Sequence, residues 1–277
     1  MGAVQVPAVR VPTDPSPPPE GTVEVQILGP VRVVGWPGSQ PERAAVTEIA
    51  AYLALHPGGH TAAALADALS NADRQLSVNS IRTYANTLRR ALGPDAVPDG
   101  GHSGYTLVGV TTDWRRFQAL TTDTDRPDTA GFQAAVGALS LIRGAPFAHP
   151  PRGGYEWAFH HPTVIAIENA ATAAADHLAA AALRTGQPAL AEWAAKQGLL
   201  VAPTSEDLMA VLLDAAATNP DRLATAWRDI TRRLDANDDP IPDALLDRYH
   251  HLRERPISTS RDTPPATVRQ QHEDISQ

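Results

Sequence analysis

The chain has 277 residues, 43% of them hydrophobic, which is enough for a packed core and about two domains. Its 23 basic residues, all arginine except Lys196, stand against 31 acids and give a net charge of −8, which argues against a nucleic-acid-coating protein. The absence of cysteine excludes disulfide scaffolds, thiolate zinc sites, iron–sulfur clusters and cysteine nucleophiles, and no apolar run is long enough for a membrane span.

The first residues lack a charged start followed by an apolar run, so no secretory signal is expected and a cytoplasmic location follows. Residues 12–19 read PTDPSPPP, a polyproline II composition, and residues 1–22 are expected to be a disordered tail or linker. VEVQIL (23–28) and VRVVGW (31–36) are rich in β-branched residues and separated by Gly29-Pro30, which predicts a strand pair. Over 44–56, Val46, Ile49, Ala50 and Leu53 form a helical stripe that His56-Pro57-Gly58-Gly59 ends. Thr61 is a good N-cap for a second helix at 62–70, with Leu65 and Leu69 inward. After an unusual polar turn, Ser70 and Asn71 to Gln75, either Ser77 or Asn79 opens a third helix ending at Leu92 before Gly93-Pro94. Gly104 to Val108 reads as a strand, with Gly100-Gly101 as a hairpin tip. Strand pair, three helices and hairpin over 23–112 predict an α+β winged helix-turn-helix.

Residues 113–255 read as all-α, with helices at 113–122, 128–142, 162–185, 187–201, 205–218, 220–236 and 242–254. Gly186-Gln187-Pro188, Ala202-Pro203 and Asn219-Pro220 separate them. Ala189-x-x-x-Trp193 recurs 34 residues on as Leu223-x-x-x-Trp227, a tetratricopeptide-like period. In such pairs the small residue admits a neighbouring helix and the aromatic fills the gap; ordinary bundle core is the alternative. Residues 256–277 are polar and are expected to form a disordered tail.

The charge is unevenly placed. Residues 23–116 hold eight arginines and eight acids, whereas 117–255 hold 12 basic and 18 acidic residues, a balance of −6. Within the neutral half, 77–92 carries Arg82, Arg89 and Arg90 and no acid. At 100° per residue, Val78, Ile81, Ala85, Leu88 and Leu92 share one side of that helix. Asn79, Thr83, Asn86, Thr87 and Arg90 lie opposite, with Arg82 and Arg89 on the flanks. Guanidinium and amide groups on a helix are the donors and acceptors that read base edges in a major groove. Plain solvated surface is the alternative reading of the same face. The expected wing, 96–110, has no Arg or Lys, so about three arginines predict a salt slope of about −3 per protomer.

VEVQILGPVRVVG, AAVTEIAAYLALHPGGHTAAALADAL, VNSIRTYANTLRRALG, GYTL and TTDWRRFQAL together resemble the DNA-binding half of bacterial transcriptional activator-domain regulators. These include the Streptomyces antibiotic regulatory protein family. RGAPFA, GYEWA, GQPALAEWAAKQGLLVAPTSEDLMAVLLDAA and LDANDDPIP are similar to the helical activator domain, so the likeness covers 23–255. Ser70 departs from the tryptophan that relatives often carry there. The resemblance implies binding to double-stranded promoter DNA as a homodimer, and contact with RNA polymerase or another protein through the helical domain. It places Asn79, Arg82, Thr83, Asn86 and Arg90 against the groove, with Arg89 nearer the DNA backbone. A similar pair of domains also forms the cytoplasmic end of large actinobacterial membrane proteins, so a non-DNA-binding adaptor module is the rival expectation.

No phosphate-loop, dinucleotide-binding, zinc-protease or nucleophile-elbow motif is present, and no catalytic residue, cofactor or metal site is expected. His160-His161 and His250-His251 point about 100° apart on a helix and do not converge on a metal. Asp235, Asp238 and Asp239 lack the alternating spacing of a calcium loop, and Glu156-Trp157 reads as packing.

Overall fold

The β-branched runs on either side of Gly29 pair as predicted: β1 (Val23–Gln26) and β2 (Arg32–Val34) are antiparallel, with Val25 opposite Val33. The computed structural model describes residues 15–255 except 16, 40, 42, 100, 102, 123–128 and 160, so most of both expected tails lies outside the described residues. Three helices follow, α1 (Ala44–Leu55), α2 (Ala62–Leu69) and α3 (Val78–Leu92). Side-chain caps start two of them. Thr61 Oγ1 accepts from the Ala64 N–H, and Ser77, rather than Asn79, accepts from the Ser80 N–H.

The chain then returns to the sheet in a way the sequence reading did not foresee. Val110–Thr112 forms β3, parallel to β1 on the edge opposite β2, so the order is β2-β1-β3. A parallel neighbour needs a long crossover, and α1 to α3 supply it. The strand expected at 104–108 is reduced to one antiparallel bridge, Tyr105 with His60. The cause is a crossing of two loops at contact distance. Gly104 has φ +75°, and a Cβ there would lie 2.6 Å from the His60 backbone; one at Gly59 would lie 1.5 Å from the Ser103 oxygen. Gly100, half of the expected hairpin tip, lies outside the described residues.

The remaining chain is helical: α4 (Asp113–Thr121), α5 (Thr129–Ser140), α6 (Glu156–Phe159), α7 (Pro162–Arg184), α8 (Pro188–Gly198), α9 (Glu206–Ala216), α10 (Pro220–Ala236) and α11 (Asp243–Glu254). Only α6 was not foreseen; four residues carry no periodicity. The predicted breakers act as helix starts. Pro188 and Pro220 occupy first-turn positions, where a missing N–H costs nothing. Asn219 Oδ1 accepts from the Asp221 and Arg222 N–H groups.

Two side-chain bonds tie α10 and α11 back to the chain 34 residues before them. Arg233 NH1 donates to the Leu199 carbonyl at 3.0 Å, and Arg248 Nε donates to Asp214 Oδ1 at 2.9 Å, each across 34 residues. Trp227 stacks on Tyr249 with ring centroids 4.6 Å apart. Close helix approach, however, is not at Ala189, which is exposed. It is at Gly198, where a Cβ would lie 2.6 Å from Leu208 Cδ1 and 2.7 Å from Ala175 Cβ.

Apolar residues from Val25 to Leu252 form one continuous core, so the N-terminal and helical halves are not separately wrapped. Three carboxylates are buried in the first half and its border: Glu24 at 0% exposure, Glu48 at 1% and Asp113 at 1%. Arg116 NH1 donates to both oxygens of Glu24, at 3.0 and 2.8 Å, and Gln26 Nε2 donates to Oε1 at 2.8 Å. Asp113 accepts from the Ile27 N–H at 2.8 Å and the Leu28 N–H at 3.0 Å, with Arg143 NH2 at 3.4 Å. Burial pushes the Asp113 carboxyl up to about 6, against the downward pull of those two backbone donors and of Arg143. Glu48 accepts from the Tyr155 N–H at 2.8 Å and pairs with Arg74 NH1 at 2.6 Å.

Candidate nucleic-acid interface

Helix α3 is anchored by Ile81, Ala85, Leu88, Ala91 and Leu92, all buried; Val78, expected among them, is only half-buried. Its outer side is formed by Asn79, Arg82, Thr83, Asn86 and Arg90, every one exposed. Among the described residues, neither Arg82 nor Arg90 has a hydrogen-bond or ion-pair partner. The threonines are partly committed. Thr83 Oγ1 donates to the Asn79 carbonyl at 2.9 Å and Thr87 Oγ1 to the Thr83 carbonyl at 3.0 Å, which leaves oxygen lone pairs and methyl groups outward.

Arg89 is different. Its Nε donates to the Val97 carbonyl at 2.8 Å, and NH2 lies 3.4 Å from Asp99 Oδ1. This side chain holds the loop after α3, so five of the six expected residues lie on the exposed face, Thr83 with its hydroxyl bonded to the backbone, and one is engaged internally. Beside Arg82, a cleft of about 390 Å³ opens between the start of α2, α3 and the 101–105 loop, lined by Thr61, Ala63 and Tyr105 among others. Among its described residues the loop brings no Arg or Lys to that cleft, and further along the chain Val108 is an exposed apolar side chain.

A second cluster escaped the sequence reading. His56 stacks on Tyr52 with centroids 3.9 Å apart, and His161 and Trp157 approach it at 4.7 and 5.5 Å. One ring nitrogen of each of three histidines is committed to backbone. His56 Nδ1 bonds the Tyr52 carbonyl, His60 Nε2 the His56 carbonyl, and His161 Nδ1 accepts from the Thr163 N–H. Burial lowers the pKa of both His56 and His161. The residues converge through the fold, from the end of α1 and the segment between α6 and α7, so no spacing announces them. His160 lies outside the described residues, His250 and His251 are exposed, and Glu156 is exposed while Trp157 packs in the ring cluster. Among the described residues, no group of three or more His, Cys, Asp or Glu is placed to hold a metal, and no helix is long and apolar enough to cross a membrane.

No protein-family model and no curated protein matches the chain. Among solved structures, the fold is similar to that of Mycobacterium tuberculosis EmbR in complex with a low-affinity phosphopeptide, at 21% identity and a TM-score of 0.58. The match covers 86% of this chain, which spans 66% of the length of that one. The likeness is one of fold: a mostly helical chain with a small sheet at its start, consistent with a winged helix followed by a helical domain.

Proposed function

We propose that the protein is a DNA-binding transcriptional regulator that inserts α3 in the major groove, with 23–112 as the DNA-binding unit. Residues 113–255 form the tetratricopeptide-like unit that binds protein, whether a second copy of the chain or RNA polymerase. One observation carries the reading. The exposed face of α3 offers Asn79, Arg82, Asn86 and Arg90 without a carboxylate, in a chain with an excess of eight negative charges. Arginine and asparagine are the side chains that bond guanine and adenine edges bidentately. The acidic balance of 117–255 keeps that half off DNA and suits a protein surface. The phosphopeptide held by EmbR supports a protein partner here as well.

With Arg89 engaged internally, two free arginines, Arg82 and Arg90, remain on α3 of each protomer. Affinity for one protomer is therefore modest, with a salt slope of about −2, and a dimer doubles it. The test is retention of genomic DNA fragments by the purified chain at low and high salt, followed by sequencing. Enriched, salt-sensitive sites are expected; Asn86→Ala should lose their enrichment with thermal unfolding unchanged. Equal enrichment by both proteins would show that the groove assignment is wrong. The lack of any Arg or Lys in the loop at 96–110 favours the second reading, an adaptor that binds protein only, and that reading requires no salt-sensitive DNA retention at all.

A further inference from the structure

The turn between α2 and α3 was the oddest stretch of the N-terminal half, and the fold gives it a partner. Asn71 Oδ1 accepts from the Asp73 and Arg74 N–H groups at 3.0 and 2.9 Å, Gln75 Nε2 donates to the Asn71 carbonyl, and Ser70 Oγ accepts from the Leu76 N–H. These bonds make a rigid knot directly before α3. The knot is then tied to the helical half twice. Asn71 Nδ2 donates to the Gly153 carbonyl at 2.9 Å, and Arg74 shares the buried Glu48 carboxylate with the Tyr155 N–H.

Gly153 and Tyr155 belong to a strap, 143–155, that joins α5 to α6 across the N-terminal half. Its other end is fastened at the sheet: the Arg143 N–H donates to the Leu28 carbonyl at 2.7 Å and the Phe147 N–H to the Ile27 carbonyl at 3.2 Å. Three non-glycine residues of the strap hold left-handed backbone: Phe147 at φ +56°, His149 at +55° and Tyr155 at +59°. Bulky side chains avoid that region, and such conformations persist only where surrounding bonds over-determine them. At Tyr155 the over-determining bond is the one to Glu48.

We propose that Glu48 is a positioning residue for α3: by binding Arg74 and the strained Tyr155 backbone at once, it lets the 143–155 strap of the helical half set the attitude of the DNA-facing helix. The inference rests on the DNA-binding reading of α3 for its functional meaning. Its physical content is that the turn at 70–77 and the strap open together, because one carboxylate holds both. The helical half thereby acts on DNA affinity without touching DNA.

Glu48→Gln is the test, on the full chain. The amide keeps an oxygen for the Tyr155 N–H but turns a donor toward the Arg74 guanidinium, so it breaks the sharing while preserving shape. Hydrogen exchange without DNA should speed up by about tenfold in both 70–77 and 147–158, with 85–92 protected as before. Affinity for the DNA sites retained by the wild type should fall by about tenfold while the salt slope stays unchanged, because the phosphate contacts are the same in number. A merely structural role would instead lower the fraction of protein able to bind and leave the Kd of that fraction unaltered. Asn71→Ala, at a part-exposed position on the same link, should move both readouts in the same direction and serves where Glu48→Gln folds poorly. Faster exchange confined to one of the two segments, or an unchanged Kd, overturns the proposal. Absence of DNA retention by the wild type overturns instead the reading beneath it, since the exchange experiment needs no DNA.

Discussion

The arginines of the two halves' shared seam and those of the α3 face are the same side chain in opposite circumstances. Arg74, Arg116 and Arg143 each end on a carboxylate that is at most 2% exposed, while Arg82 and Arg90 end in solvent. Arg89, on the same helix as the last two, is drawn inward by the Val97 carbonyl. Whether an arginine here holds the fold or is available to a partner is thus decided by whether the topology brings an acceptor to it. Local sequence charge does not decide it: the +3 of 77–92 overstates the available charge by one.

The seam can be broken hardest at Glu24. Glu24→Ala removes a fully buried carboxylate that accepts twice from Arg116 NH1 and once from Gln26 Nε2. Removing one partner of a buried ion pair costs about 3–5 kcal/mol. Urea unfolding should show that loss, and a shift below about 1 kcal/mol would mean that the pair contributes little to holding the halves together.

The next effect depends on pH. An aspartate in an unfolded chain titrates near 3.9, whereas burial raises Asp113 to about 6 in the native protein. The native state therefore binds the extra proton between those values. The stability this group contributes is fully present below about pH 4 and is lost as pH rises through about 6, a change on the order of 2–3 kcal/mol. His56 and His161 work in the other direction: burial lowers both, so their contribution is present above about pH 6.5 and is lost as pH falls. Urea melts from pH 4 to 8 should show the Asp113 contribution in the wild type and not in Asp113→Asn. An identical pH profile in the two proteins would assign the effect elsewhere.

The helices of the second half were legible because proline and glycine punctuate them, and the outer face of α3 because its amphipathicity survives any context. The seam was not legible. Glu24 meets Arg116 across 92 residues and Glu48 meets Tyr155 across 107, and no periodicity encodes such a partnership. VEVQ alternates as a half-exposed strand would, yet Glu24 is bonded by Arg116 of α4 and Gln26 by Glu24 and Arg32, and both are buried. Placing β3 failed for a related reason. Gly-Tyr-Thr-Leu-Val has strand composition, but its backbone is needed at the crossing with His60, and Val110–Thr112 takes the place beside β1. The Arg89 bond is local, eight residues long, and could have been anticipated from Gly93-Pro94 folding the chain back on the helix.

That local bond makes the smallest and sharpest comparison, between neighbours. Arg89→Ala removes a hydrogen bond to a carbonyl that folding has partly withdrawn from water, and should lower stability by about 1 kcal/mol. Arg82→Ala and Arg90→Ala should each stay within about 0.5 kcal/mol of the wild type, as surface substitutions without partners do. In DNA retention the order reverses. Each of the latter two should reduce the salt slope by about 1, whereas Arg89→Ala should leave the slope where it was. Unfolding curves and salt titrations on the three proteins give six values. If Arg89→Ala flattens the slope as much as Arg90→Ala does, Arg89 leaves Val97 to reach a phosphate, and the division between arginines that hold the fold and arginines that face a partner fails on this helix.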